Sequence, residues 1–242
     1  MILRADPRGT LLIGQPAHAW LSGRMADAWA APFEPRDDVR LAALQHDIGM
    51  AAWDAAPRID PQTGLPHSFT SMPRAAHVEL WSRAARLLVA QSGYAALLVS
   101  LHGTGLYERY VAERERAAEP VRGYLAAERA FQDRMLAWLD ADPAQVGQNA
   151  ALLRCWDWLS LFLCTGAADE GAFEGDAVAF AVRFAGAARR DATLAPWPFR
   201  GDLLELPAEA RLLAGTYRDQ ASLDAAVAAA PREQLTLTLR PG

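Results

Sequence analysis

The residues that could do chemistry in this chain are histidines and aspartates that fall on otherwise apolar stretches. His46 and Asp47 are adjacent, at the end of the run Leu44-Gln45-His46-Asp47-Ile48-Gly49. Neighbouring side chains on a helix diverge by about 100°. Both can still lean toward one metal ion if the helix ends at a cavity, the histidine through a ring nitrogen and the aspartate through an oxygen. The other candidate ligands lie on separate segments: His18, His77, His102 and Asp157.

Asp157 carries the most weight, because it interrupts an apolar stripe. An ionised carboxylate there costs several kcal/mol unless it is paired or bound to a metal. Pairing with a core arginine, Arg154 or Arg24, is the alternative. A single histidine on an apolar face is usually a hydrogen-bonded core residue, but four of them with an aspartate on separate helices favour a metal site.

Two imidazoles and two carboxylates give one divalent ion a mixed nitrogen and oxygen shell with open positions for water. We predict that His18, His46, Asp47 and Asp157 form this shell. If Asp47 bridges, His102 and less strongly His77 could hold a second ion. The expected cofactor is therefore one or two divalent ions: Mn, Ni, Co, Zn or Fe.

Other residues could act beside the metal. Asp47 and Asp54 are the candidate catalytic carboxylates, with Asp54 as a base or an orienting group. Trp53, Arg58 and Arg74 are candidate substrate contacts, Trp53 because it follows the His-Asp helix and the arginines because they suit anions. Core packing for Trp53 and a solvated surface for the arginines remain the alternatives.

Helical patterns position these residues. Apolar spacing predicts helices near 16–30, 37–48, from 73, from Ser92, within 107–140 and from Pro143. Residues 54–72, rich in proline and glycine, predict a long loop bordering the site. Period-two alternation around 178–184 and 235–239, with a turn at 6–9, predicts short strands and one helix near 221–230. The predicted division is a hairpin at 1–14, a helical metal-binding domain at 15–170 and a small α+β extension at 171–242.

Composition limits the classes of partner. The 242 residues carry a net charge of −5, and all 24 basic residues are arginine. An acidic chain without lysine argues against nucleic-acid or anionic-membrane binding and excludes a lysine Schiff base or a Walker-type loop. With no leader or 18-residue apolar span, we expect a cytoplasmic protein with a small-molecule substrate. A homodimer is left open.

The order His, His-Asp, His, His, Asp resembles the HD superfamily of metalloenzymes, in which His18, His46, Asp47 and Asp157 would match the signature positions. More narrowly, Gln15-Pro16-Ala17-His18, Trp53-Asp54, Ser100-Leu101-His102 and Asp157-x-Leu-Ser160 are similar to an uncharacterised bacterial family of unknown function. The resemblance implies a mainly α fold: an HD-type helical bundle with a small antiparallel β-subdomain from the two terminal segments.

The resemblance implies a metal-dependent hydrolase, acting on a phosphoester with metal-bound hydroxide as nucleophile. An HD-type diiron oxygenase and a non-catalytic metal- or ligand-binding module are the alternatives. Many HD phosphohydrolases place Lys directly after Ile-Gly or Glu three residues after the Asp. Met50 occupies both positions here, which predicts weak handling of phosphate.

Overall fold

Helices make up 50% of the chain and strands 21%. The computed structural model describes residues 1–175 and 178–242. The helices are α1 (Gln15–Ala28), α2 (Arg36–Gln45), α3 (Ala51–Ala55), α4 (Arg74–Leu88), α5 (Gly93–Tyr110), α6 (Glu113–Arg116), α7 (Val121–Leu139), α8 (Pro143–Thr165) and α9 (Gln220–Ala229). Within the described ranges, none of them combines the length and apolar character needed to cross a membrane.

The strands form one curled sheet with the order β1-β2-β6-β7-β5-β4-β3. Their bounds are β1 (Ile2–Asp6), β2 (Gly9–Ile13), β3 (Glu170–Glu174), β4 (Ala179–Ala185), β5 (Asp191–Ala195), β6 (Leu204–Leu213) and β7 (Arg232–Pro241). β5 and β7 are parallel, whereas every other neighbouring pair is antiparallel.

The predicted fold class is therefore wrong. A seven-stranded mixed sheet shaped like half a barrel replaces the expected HD-type bundle with a small antiparallel β-subdomain, and the protein is neither mainly α nor all-α. Local patterns underestimated the sheet because β4 is rich in alanine and a proline interrupts β6. The parallel pair is also joined only through residues 196–231, which include β6 and α9.

Pro207 explains why the sequence did not predict strand β6. Pro207 lacks the N–H that a strand flanked on both sides would use. It pairs with Thr236 of β7, but β2 reaches only residues 210–213 on the other side of β6. Pro207 thus lies in a stretch with a single neighbour, where the missing donor breaks no ladder.

The N-terminal hairpin completes the sheet at its other end. β1 and β2 pair along their whole length, and β2 continues onto β6. Gly9 has φ +146°, and a Cβ there would lie 2.0 Å from the Leu213 carbonyl oxygen. Only glycine allows this approach.

The sheet is covered on both faces. α1 packs against β6, and α8 packs against β1 and β3, which encloses the main core. Leu12 points the other way from Leu11 and Ile13, into a second cluster with Leu223 and Val227 of α9. The buried Arg4 guanidinium donates to the carbonyls of Leu163, Cys164, Ala188 and Arg189, so it ties β1 to the end of α8.

Candidate metal centre and its cavity

His46 and Asp47 lie where α2 stops. His46 still has helical angles, whereas Asp47 has left the helix (φ −102°, ψ 16°) and precedes a 3-10 turn, Ile48–Met50. The change of direction lets two adjacent side chains face the same point. Gly49 permits the turn, since a Cβ there would lie 2.3 Å from the Leu80 carbonyl oxygen in α4.

α1 and α8 cross with two polar pairs between them. His18 Nε2 lies 3.1 Å from Asp157 Oδ1, and one turn further along both helices Ser22 Oγ lies 3.0 Å from Ser160 Oγ. Gly23 allows α2 to approach α1, because a Cβ there would lie 2.2 Å from Leu44 Cδ2. The same small residue brings His18 close to His46.

His102 enters from α5, the helix between α4 and α7. Its ring contacts that of His46, with centroids 5.1 Å apart, and that of Trp81, with centroids 5.8 Å apart. Gly103 leaves room for this contact, because a Cβ there would meet Trp81 at 2.8 Å.

Five buried side chains form two overlapping groups that share His46: His18, His46 and Asp47, and His46, His102 and Asp157. Ligands about 2.1 Å from one ion lie roughly 3.0 Å apart in an octahedron and roughly 3.4 Å apart in a tetrahedron. Asp157 Oδ1 is 3.2 Å from His46 Nε2, and its Oδ2 is 3.5 Å from His102 Nε2. Asp47 Oδ2 is 3.6 Å from His18 Nε2 and 3.9 Å from His46 Nε2. Within each group the spacing is close to that of ligands on one ion.

Unsatisfied atoms also fit a metal. The Nδ1–H of His46 donates to the Ala43 carbonyl at 3.0 Å, which leaves Nε2 for the cluster. This Nε2 lies only 3.2 Å from His18 Nε2. Within the described part of the chain, neither buried ring nitrogen of His102 has a hydrogen-bond partner. Two ring nitrogens at this distance are satisfied either by a proton on one of them or by a metal ion that both bind.

The pKa shifts of the clustered histidines and aspartates also indicate strong electrostatic coupling between them. Burial would lower the pKa of His46, but the charges of Asp47 and Asp157 outweigh it and raise that pKa to about 9. Burial also opposes ionisation of Asp157, yet His102, His18 and His46 hold its pKa well below the usual range. Burial raises the pKa of Asp47 and lowers that of His102 to about 3. The buried His and Asp groups could therefore hold a metal ion.

The cluster is open on one side. Asp47, His102 and Asp157 form part of the wall of a cavity of about 460 Å³. Aromatic and aliphatic side chains make up most of the rest: Phe69, Trp81, Leu106, Tyr107, Tyr110, Val111, Trp158, Leu161 and Phe173. An apolar cavity with a few convergent polar groups is typical of a small-molecule site.

His77 lines this cavity but stays outside the cluster. The Tyr107 hydroxyl is hydrogen-bonded to its Nδ1. Burial is the main reason that the pKa of His77 falls to about 4 and that of Tyr107 rises to about 12. Arg74, paired with Glu115, lies over the Tyr107 ring, with its guanidinium carbon 5.7 Å from the ring centroid. When the Tyr107 hydroxyl donates to Nδ1, the ring proton of His77 is on Nε2.

The remaining predicted residues lie apart from the cluster. Asp54 accepts from the Gln15 N–H at the start of α1 and pairs with the Met1 amino group at 2.8 Å. Trp53 and the exposed Arg58 face a different depression, between α3 and α4. Of the predicted substrate contacts, only Arg74 lines the cavity beside the cluster.

Met50 does not face the cavity either. Met50 is 2% exposed. It packs in a third core cluster, separate from the one under α9, together with Trp81, Tyr107 and Leu125. A substrate in the cavity would therefore not touch the Met50 side chain, because this side chain is part of the core. A lysine at this position would bury a charge.

Sequence reasoning missed two arginines of the cavity wall, Arg109 and Arg154. Arg154 lies three residues before Asp157 on α8, and Arg109 lies seven residues after His102 on α5. Both spacings put a side chain on the same helix face as the ligand. Sequence analysis considered Arg154 only as an ion-pair partner of Asp157, and it looked for substrate contacts only near the 54–72 loop.

Comparison with known proteins gives one match. The sequence model of a family described as "Protein of unknown function (DUF3891)" covers residues 1–215. No curated protein and no solved structure matches the chain significantly. The predicted likeness to a family of unknown function is thus confirmed, whereas no HD-domain family matches.

Proposed function

Because the chain belongs to the DUF3891 family, whose function is unknown, we propose its activity from the chemistry of its site: a divalent-metal-dependent hydrolase acting on a small phosphoester. The observation that carries the proposal is the group of three histidines and two aspartates at one wall of an open, largely apolar cavity that also contains arginines. Such a cavity suits a small anionic substrate.

The metal would be held by His18, His46, Asp47, His102 and Asp157. A divalent ion in a mixed nitrogen and oxygen shell supplies Lewis acidity and a water that ionises near neutral pH. The buried neighbours of the ligands orient them: Ala43 accepts from His46, and Asp54 fixes the first turn of the helix that carries His18. Asp54 therefore acts as a positioning residue.

Arg74 and His77 would act on the substrate from across the cavity. In the tautomer in which Nδ1 accepts from the Tyr107 hydroxyl, the ring proton of His77 is on Nε2. This N–H would donate to an oxygen of the reacting phosphoryl group or of the leaving group. Arg74 offers a positive charge beside it, held in place by Glu115.

The test of this proposal begins with metal analysis of the protein purified without chelator or added metal. We expect about one Mn, Fe, Co, Ni or Zn per chain, and hydrolysis within a broad phosphoester panel that a chelator abolishes and a divalent ion restores. Two irons per chain would favour the diiron oxygenase. Full metal occupancy without hydrolysis of any panel member would overturn the hydrolase, and absence of metal would leave a ligand-binding module.

Replacement of His77 tests its proposed role as a proton donor to the substrate. His77→Gln should lower kcat about 10²-fold or more, the usual size of a lost proton donor, and leave the metal content unchanged. His67→Gln is the matched control, because His67 pairs with Asp60 outside the cavity. A loss of metal in His77→Gln would instead make His77 a ligand, and unchanged kcat would remove it from the reaction.

A further inference from the structure

The cavity beside the cluster adjoins a second pocket of about 280 Å³. The two spaces share one wall, here called the shared wall: Arg109, Tyr110, Arg154, Trp158 and Phe173. A phosphoryl group is much smaller than the two spaces together. A substrate with a larger body could therefore reach from the cluster into the adjoining pocket.

The shared wall is positively charged in an acidic protein. The chain as a whole carries −5, yet beyond the two aspartates of the cluster the charged groups of the main cavity are Arg74, Arg109 and Arg154. Arg74 is paired with Glu115, and Arg154 lies close enough to His102 for its charge to act on that ring. The adjoining pocket contributes one opposing charge, Glu174. Converging positive charge in a cleft concentrates anions.

The same wall has flat apolar surfaces. Trp158 stacks on Phe162 with centroids 5.6 Å apart and 13° between the rings, and Phe173 lies against it at 5.8 Å. These contacts hold the indole rigidly beside the two spaces. Tyr110, 67% exposed, stands at the rim. Rigid aromatic surfaces next to arginines suit a flat ligand that is also anionic.

Gln15 adds one more unsatisfied polar group beside the main cavity. The residue is 96% buried and lines the cavity with Asp47, and its Oε1 has no hydrogen-bond partner within the described residues. A buried acceptor without a donor is costly. A water held at the cluster could donate to it, whereas a phosphoryl dianion only accepts hydrogen bonds.

We infer that the shared wall is a substrate subsite for an aryl phosphate: the phosphoryl group lies between the metal cluster and the two arginines, and the aromatic body lies against Trp158 and Tyr110. The inference rests on the proposed function for the orientation of the phosphoryl group. The subsite itself is made of protein groups and does not depend on the ion.

Calorimetric titration with phenylphosphonate, a dianion that cannot be hydrolysed to phenol, tests the subsite. Arg109→Gln is the main variant, since this exposed side chain can be replaced without disturbing the core. Affinity should fall about tenfold in Arg109→Gln, and again in Arg154→Gln, as expected for one charge-assisted hydrogen bond each. Arg83→Gln, on the outer face of α4 and paired with Glu79, is the matched control and should bind as wild type.

Two further titrations separate the parts of the ligand. Methylphosphonate should bind several-fold more weakly than phenylphosphonate, and Tyr110→Ala should reduce that difference. In the metal-free variant Asp157→Asn, phenylphosphonate binding should weaken but remain sensitive to Arg109→Gln.

The outcomes distinguish this proposal from the hydrolase. Wild-type protein that ignores millimolar phenylphosphonate, or arginine variants that bind like Arg83→Gln, would overturn the subsite even if the metal is present. Equal affinity for the methyl and phenyl compounds would remove the aromatic half. If the protein never carries metal but still binds phenylphosphonate in an arginine-dependent way, the subsite proposal stands and the hydrolase proposal is overturned.

Discussion

Asp157→Asn should leave the protein unable to retain its metal ion. Asp157 is the carboxylate that faces three histidines, through Oδ1 to His18 and His46 and through Oδ2 to His102. Changing a group that merely supports a ligand costs about 10–100-fold in metal affinity. Removing the charge of a direct donor should cost more than about 100-fold, and metal analysis of purified variant and wild type measures the loss.

The melting temperature should also show the loss of metal binding in Asp157→Asn. A metal that binds only the folded state stabilises it, so added metal should raise the Tm of wild type and not that of Asp157→Asn. Glu128→Gln is the matched control, because Glu128 is an equally buried carboxylate, bound to Arg86 and Ser100 rather than to the cluster. It should lower the Tm and keep the metal. Full metal occupancy in Asp157→Asn would refute the assigned ligand set.

Gly49→Ala should both destabilise the fold and disturb the cluster. The added methyl would lie 2.3 Å from the Leu80 carbonyl oxygen and 3.1 Å from Ala84 Cβ, so the 3-10 turn must move away from α4. Overpacking of this kind costs about 1–3 kcal/mol. Since Asp47 and His46 directly precede the turn, metal affinity should fall with stability, and denaturant unfolding with metal titration measures both.

Gly147→Ala separates this effect from the general effect of adding a methyl group. Gly147 lies inside α8, where an added Cβ would meet no atom within 4 Å. Alanine there should stabilise by about 0.5–1 kcal/mol, because glycine weakens a helix interior. If Gly49→Ala behaves like Gly147→Ala, the tight turn does not hold the cluster together.

The cluster could be predicted from the sequence because its residues stand out in local helical patterns. His18, His102 and Asp157 each interrupt the apolar face of a helix, and a helical period of 3.6 residues is visible in a single sequence. The pattern does not show which of these polar residues lie close together in the folded protein. His77 has the same helical signature, but its Nδ1 is hydrogen-bonded to Tyr107 and it belongs to neither metal-ligand group.

The sheet could not be anticipated in the same way. Alternation revealed parts of β4 and β7, with Phe180, Val182 and Phe184 buried on one strand. Pairing partners, however, depend on residues far apart in the chain. β2 meets β6 about 200 positions later, and β7 enters between β5 and β6. No local signal reports such long-range pairing, so the sheet was underestimated while the helices were recognised.

The central place of β7 has a consequence for how the chain folds as it is synthesised. Until residues 232–241 are available, β5 and β6 each present an open edge, and the sheet exists as two separate halves. The matched family region stops at residue 215, so a fragment cut there would keep both edges exposed. Exposed edges recruit other chains, and pairing delayed until the last strand is slow. Such a fragment should aggregate, whereas the full chain is protected once its seventh strand has been inserted.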